Sequence, residues 1–544
     1  MKLANCKLNI LSFIAGAHSC SVAYIKEGVL IAVLEEERLL RQKCFVDFEN
    51  NVDRYPVLCL HNLINRFGMD LNQIDYFVSF LHYEESTPIF DYLDFKLPVE
   101  KFIKYDHHYS HAATAYYLSG FQEDTLVFNA DASGGNGYNS KMYIGSEGNL
   151  KYINGNTNNR VSIGHFYAAL TEICGFKRLK DEGKVVGLSS HGELWYEVYD
   201  RWNNVLKIEG TKTNIDGHHI ESGGVYQQMN HILFDEFGSK YWKNDKCIKD
   251  LAFTGQFIFE QKVVELLNNY HTLYPNIRKL ALAGGIFANV KLNKKINELD
   301  WVDEVFIAPP MGDEGLALGC GLLALKQFNP EFKPCKFNMY LGNEFTEQEI
   351  SDAAGAILPE WTFYPLEENW EWITQLLLDK KIIGLYQGRS EHGPRALGNR
   401  SIICDPRNEE TYKILNNKLQ RNDFMPFAPA VMDVDADKIF DVNKSKYAAE
   451  YMTLLYDSNP EFNIPTVVHP VDKTARIQIV TPESNALFYK ILNNFRDVSG
   501  IGCLVNTSFN VHNEPIVDRP EEAFTHLKNG IIDYLITPKG IWHI

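Results

Sequence analysis

Apolar residues in this chain fall into short runs closed by glycine, proline or acidic residues, the pattern of alternating strands and helices. Residues 8–34 read as two strands. NILSFIAG is apolar, AHSCS is a small-residue turn, and SVAYIKEGVLIAVLEEE alternates through a hairpin at Gly28. YDHHYSHAATAYYLS (105–119) predicts a helix capped by Asp106, and DTLVFNAD (124–131) a strand that ends in acid and runs into the glycine loop SGGNG. Residues 250–269 have helical period and an aspartate start. KLALAGGIFANVKLN then reads strand, glycine turn, helix, and EVFIAPPMGDEGLALGCGLLAL repeats that plan. Glycines at strand ends are the layout of an α/β protein that binds ligands at the carboxyl ends of its strands. FNPEFKPCKFNMYLGNEFTEQE (328–349) breaks the pattern. It places a boundary near residue 342, giving domains at 1–342 and 343–544, the second with its clearest strands in KKIIGLYQG (380–388) and IGCLVNTSF (501–509).

Composition narrows the class. A chain of 544 residues needs more than one core. The net charge of −17, without a long Lys/Arg run, argues against a duplex-DNA glove. Ten cysteines without a CxxC pair read as free thiols in a reducing, cytoplasmic setting. No apolar run reaches the ~18 residues of a membrane helix. The start superficially resembles a signal peptide, but Lys7 interrupts it and its apolar pattern continues as strands.

His107 and His111 stand four apart in a predicted helix, so both rings project from one face. His108 points elsewhere. Asp131 and Asp313 each follow an apolar strand, where a carboxylate meets a cleft. Two imidazoles and two carboxylates suit iron, manganese or zinc. The same residues, taken singly, suit helix faces and helix caps. There is no Walker motif and no GxGxxG between strand and helix. Gly284–Gly285 with Asn289, and Gly312 and Gly315 around Asp313, offer backbone amides for phosphates, or tight turns of no further use.

Together and in order, AGAHSCSVAYIKEGVLIAVLEEERLLRQK, HHYSHAATAY, GHFYAALTEICGF, DEGKVVGLSSHG, LAGGIFANVKLN, MGDEGLALG, GPRALGNRSIICDPR, PFAPAV, TARIQIV and NTSFNVHNEPIV resemble the O-carbamoyltransferase family of nodulation-factor, cephalosporin and tobramycin carbamoyltransferases. The resemblance runs from about Ile10 to the C-terminus. It implies an α/β architecture: an actin/sugar-kinase-like (Kae1-like) domain of two α/β halves, followed by a YrdC-like α/β domain that activates a carbamoyl donor. The implied chemistry is formation of carbamoyl-adenylate and pyrophosphate from ATP and carbamoyl phosphate, then transfer to an acceptor hydroxyl. The family's metal site falls on His107, His111, Asp131 and Asp313, with Fe(II) as the implied metal in a Lewis-acid role; Mg can accompany the ATP. The glycine turns with Asn289 would hold the nucleotide. His18 would lie near the carbamoyl group, and Lys184 could add a site charge. Arg395, Arg400, Arg421, Arg476, Ser508 and Asn510 match the donor-domain motifs, where arginine forks suit phosphate.

One departure stands out. Leu419 and Met425 occupy slots that many members fill with lysine and arginine, leaving Lys418 as a neighbouring charge. Competing readings are a threonylcarbamoyl-transfer enzyme of tRNA modification, an actin-superfamily kinase and a non-catalytic scaffold. The fused GPRALGNRS domain, the HxxxH and NTSFN motifs and the four intact metal-type residues favour carbamoyl transfer. The acceptor is unread: an antibiotic, a sugar, or a nucleoside-type hydroxyl such as a hydroxymethyl base in single-stranded substrate. The unmatched aromatic segment 193–250 is the expected wall of its pocket. A homodimer is compatible with the sequence, which does not fix the oligomeric state.

Overall fold

Helices and strands alternate as the periodicity predicts, in a computed structural model that describes residues 7–16, 19–43, 55–214, 224–233, 244–358, 360–420 and 426–544. The chain forms two compact units. The first takes residues 1–14, 25–29 and 73–336, and the second takes 15–24, 30–72 and 337–544. Where two strands were expected over residues 8–34, three stand: Ile10–Ile14, Ser21–Lys26 and Val29–Glu35. The last two are joined at Glu27 and Gly28, both at positive φ (50° and 73°), a turn that glycine makes easy.

In the first unit, Ile10–Ile14, Tyr76–Ser79 and Phe102–Lys104 run parallel. A second, five-stranded sheet has the order Glu304–Ile307, Lys279–Ala283, Thr125–Ala130, Tyr138–Ser146, Asn149–Thr157. Its first three strands are parallel and the last two antiparallel. The parallel three are apolar and buried almost throughout, as strands covered on both faces must be. The helix expected over 250–269 is longer, Asp245–Leu273. Asn244 caps it by accepting the Lys246 N–H at 2.9 Å, and Asp250, the expected start, sits inside and pairs with Lys246 at 2.8 Å.

The second unit is built on an eight-stranded sheet in the order Thr362–Pro365, Gly540–His543, Tyr534–Ile536, Ile383–Tyr386, Arg400–Cys404, Cys503–Ser508, Ala428–Met432, Gln478–Val480. The central strands Ile383–Tyr386 and Arg400–Cys404 are buried at every residue. The loop between them carries SEHGPRALGN, and Cys503–Ser508 beside them ends in the NTSFN motif. The eight described cysteines are all free thiols. Among the described residues no helix is long and apolar enough to cross a membrane.

Candidate functional site

The histidine helix, His107–Ser119, begins where Asp106 accepts the Tyr109 N–H at 3.0 Å, and almost all of its residues are buried. It is held against the helix Leu316–Phe328. Thr114 Oγ1 donates to the Gly315 carbonyl at 3.0 Å, Ser110 Oγ lies 3.1 Å from Cys320 Sγ, and Gly319 lets the backbones approach so closely that a Cβ there would lie 2.1 Å from the Ser110 carbonyl oxygen. His108 faces away from its neighbours and is held by Asn129 Oδ1 (2.7 Å) and the Tyr138 carbonyl (3.0 Å). Gly134, in the glycine loop, is required there: a Cβ would meet His108 Nε2 at 2.2 Å.

Asp131, Gly284–Gly285 and Asp313 follow the carboxyl ends of three adjacent parallel strands, Thr125–Ala130, Lys279–Ala283 and Glu304–Ile307. The sheet order therefore delivers both acids and a glycine turn to one edge, opposite the two histidines. His111 Nε2 lies 3.2 Å from Asp131 Oδ2 and 3.3 Å from Asp313 Oδ1. His107 Nε2 lies 3.6 and 3.8 Å from the same atoms. One ligand atom from each of the four falls within 4.8 Å of the others. His107 Nε2, His111 Nε2 and Asp131 Oδ2 are buried and make no hydrogen bond. Buried polar atoms normally find partners, and donors spaced this way fit the coordination edges of a metal with bonds of about 2.1 Å. The residues fit a divalent cation.

Charge in the cluster supports the same assignment. Burial pulls the His111 imidazolium down, but the Asp131 charge and the close approach of the Asp131 and Asp313 carboxylates outweigh it and set the pKa at about 10. Burial raises the Asp131 carboxyl, and the charge and close approach of His111 and His107 bring it well below the usual range; Asp313 is lowered in the same way. The two carboxylates favour a positive charge between them, supplied by a proton on His111 or by a divalent cation in its place.

The glycine turn is tied to this cluster. The Gly285 N–H donates to Asp131 Oδ1, which leaves Oδ2 facing the histidines. Gly284 has φ +102°, and a Cβ there would strike the Ala130 carbonyl oxygen at 2.2 Å. Gly312 opens the Asp313–Gly315 turn, and a Cβ on Gly315 would meet the Pro310 carbonyl oxygen at 2.2 Å. Asn289 caps the helix Val290–Asn297 and exchanges hydrogen bonds with Gln256 (2.9 and 3.1 Å), so its side chain braces the turn. Lys184 pairs with Asp181 at 2.8 Å. His18 lies outside the described residues.

In the second unit three motif segments meet. Asn506 Nδ2 donates to Gln478 Oε1 (2.6 Å) and the Ala396 carbonyl (3.2 Å), and Gln478 Nε2 donates to the Leu397 carbonyl (2.8 Å). GPRALGNRS, TARIQIV and NTSFN thus share one buried network that carries Arg395 and Arg476, both partly exposed. Ser508 ends its strand opposite Ser401. Asn510 Nδ2 donates to the carbonyls of Val511 and Glu514, shaping the turn that follows.

Arg400 differs from the expectation. It is fully buried, stacks on the Tyr386 ring at 3.9 Å, and gives its N–H groups to the carbonyls of Gln387, Asn399, Asn343 and Gly388. Its fork is filled by backbone, which places it as a brace of the central strands. Lys418 pairs with Asp533 at 2.8 Å, and Leu419 is core, 1% exposed. Arg421 and Met425 lie outside the described residues.

Sequence reasoning missed Glu391. Its Oε1 accepts the N–H groups of Leu397 (2.7 Å), Asn399 (2.8 Å) and Arg400 (3.2 Å). An acid at the head of a stretch rich in glycine and arginine was the available signal.

Comparison with known proteins finds two family models along the chain. Residues 91–322 match the family model described as carbamoyltransferase N-terminus, and residues 374–542 the one described as carbamoyltransferase C-terminus. An uncharacterized protein of Methanocaldococcus jannaschii is 32% identical over 533 residues, which cover 96% of this chain and 97% of that protein. A 3'-hydroxymethylcephem-O-carbamoyltransferase of Amycolatopsis lactamdurans is 31% identical over 263 residues, 48% of each chain. Among solved structures the chain is similar to full-length HypF in its phosphate- and nucleotide-bound form. That likeness has 14% identity and a TM-score of 0.36, over 59% of this chain and 56% of that one.

Proposed function

Because this chain belongs to the carbamoyltransferase family, and is an enzyme that transfers carbamoyl groups, we propose that it is an ATP-dependent O-carbamoyltransferase. Carbamoyl phosphate, water and ATP give carbamoyl-adenylate, phosphate and pyrophosphate in the second unit, a YrdC-like domain on this reading. In the first, Kae1-like unit, an acceptor hydroxyl takes the carbamoyl group and AMP leaves. The observation that carries the reading is the Gly285 N–H bound to Asp131, which joins a phosphate-type glycine turn to a metal-type cluster at the ends of three parallel strands.

His107, His111, Asp131 and Asp313 would hold the metal, Fe(II) by family resemblance, and it would supply Lewis-acid charge beside the adenylate phosphate. The chain's own residues do the rest. The Gly284–Gly285 and Gly312–Gly315 turns, whose glycine amides are engaged within the protein, hold the nucleotide by letting backbone approach it closely, and Asn289 keeps the first turn rigid through Gln256. His18 orients the carbamoyl group or takes the acceptor's proton, with Lys184 as a further site charge. In the second unit Arg395, Arg476 and Arg421 bind donor and nucleotide phosphates, with Ser508 as a hydrogen-bonding partner. Arg400, Lys418 and Asn510 stabilise the frame around them. The acceptor is a small molecule, sugar or hydroxymethyl-nucleobase. Trp195, Tyr199, Phe253 and Phe257 on the first unit are partly exposed, which supports a pocket wall drawn from the 193–250 segment and the long helix.

The test is pyrophosphate release by purified protein with ATP, Fe(II) and carbamoyl phosphate, with and without a panel of hydroxyl acceptors. Release that requires carbamoyl phosphate, and disappears in Arg395→Ala and Ser508→Ala, is the expected result. No carbamoyl phosphate-dependent release under any of these conditions would sink the reading.

A further inference from the structure

The two peptide groups that flank Gly393 in the GPRALGNRS segment are held by residues more than three hundred positions earlier in the same unit. Glu35 Oε1 accepts the Gly393 N–H at 2.7 Å and lies 2.9 Å from His392 Nδ1. Arg38 Nη2 donates to the Gly393 carbonyl at 2.6 Å, and Arg38 Nε stands 3.6 Å from Glu35 Oε2. Both clamp residues are buried, at 9% and 5% exposure, and Arg38 Nε and Nη1 make no hydrogen bond. Gly393 itself has φ +103°.

Burying an ion pair is costly, and one N–H and one carbonyl could be fixed by neutral groups. The location explains the expense. Gly393 is two residues before Arg395, and the far side of Arg395 is also fixed: the Ala396 and Leu397 carbonyls accept from Asn506 and Gln478, and the Leu397 N–H donates to Glu391. Glu35 and Arg38 complete a frame around Arg395, whose side chain is partly exposed.

We propose that Glu35 and Arg38 are positioning residues for Arg395, holding the loop from which its guanidinium meets the phosphate of the donor. The inference rests on the donor-activation reading above. Neither residue touches substrate; they act through the Gly393 peptide.

The experiment measures pyrophosphate release by the full chain against carbamoyl phosphate concentration, for wild type, Glu35→Gln, Arg38→Met and Arg395→Lys, and for Glu35→Gln combined with Arg395→Lys. A misplaced phosphate ligand raises KM for carbamoyl phosphate by about tenfold or more, with kcat within about threefold. In the Arg395→Lys background, Glu35→Gln adds less than about twofold, because its effect runs through the lost guanidinium. Hydrogen exchange over residues 390–399 is faster in both clamp variants. Glu35→Asp, which keeps the charge on a shorter arm, gives a smaller KM rise and serves as the folded variant if Glu35→Gln melts the unit. Additive KM effects, or unchanged exchange in this loop, overturn the inference while the donor reading stands. A wild type that releases no pyrophosphate removes the donor reading, and the inference with it.

Discussion

Replacing Gly319 with alanine places a methyl group 2.1 Å from the Ser110 carbonyl oxygen and 2.5 Å from Thr114 Oγ1. Both obstacles belong to the histidine helix, and one is backbone, so no side-chain rotation clears them. The helices must part by about 1.3 Å to reach the 3.4 Å at which ordinary contact begins. Overpacking of this kind costs about 1–3 kcal/mol, offset by up to about 1 kcal/mol of helix propensity gained over glycine. The sharper consequence falls on the cluster. His107 and His111 ride on the displaced helix, whereas Asp313 starts the turn that leads into the other. Metal–ligand distances tolerate only about 0.2 Å, so divalent-metal affinity falls by more than tenfold. Gly321→Ala is the control in the same helix, since its methyl meets only Ile25 Cδ1 at 3.2 Å and Ser12 Cβ at 3.6 Å. Calorimetric titration with Mn(II), and thermal melts in chelator to isolate stability, measure both quantities. Equal metal affinities for the two variants would refute the argument that helix spacing sets the donor geometry.

Three further outcomes are expected. Asp131→Asn removes the oxygen that both histidines face, and its metal content falls by at least the roughly 100-fold that outer-shell losses reach, read by elemental analysis after anaerobic loading. Burial raises the Glu35 carboxyl, but Arg38, His392 and the Gly393 amide outweigh it and hold the pKa at about 2 against an ordinary 4.5. That contribution, about 3 kcal/mol, is full above pH 4.5 and is lost as pH falls toward 2, so acid denaturation of wild type is steeper over this window than that of Glu35→Gln. Glu391→Ala strands three buried amides and destabilises the second unit by about 3–6 kcal/mol, whereas Glu391→Gln, which keeps an acceptor, costs less than half as much in denaturant melts.

The four metal-type residues were legible because each carries its own local sign: i,i+4 spacing for the histidines, and a place just past an apolar strand for the acids. Their convergence was not, since it depends on Thr125–Ala130, Lys279–Ala283 and Glu304–Ile307 being neighbours in the sheet. Arg400 shows the opposite limit. One motif holds Arg395 and Arg400, and only burial tells the arginine that faces its own carbonyls from the one whose side chain is partly exposed. Gln256 and Asn289 belong to the same class, as partners chosen by packing. Glu35 looked like the polar end of an alternating strand, because nothing local marks an acid whose partner is the backbone at position 393.

That clamp also bears on how the molecule is made. Residues 30–72 belong to the second unit, yet they leave the ribosome long before residue 393 exists. At about 5–20 residues per second, Glu35 and Arg38 wait roughly 20–70 s for the peptide they hold. During that interval a segment rich in leucine, with a buried-type ion pair still unmatched, is exposed to chaperones and proteases. A gene cut at residue 336 would leave the first unit whole and strip the second of residues 15–24 and 30–72. Expressing residues 1–72 alongside a fragment that begins at 337 is the arrangement under which the second unit could assemble from pieces.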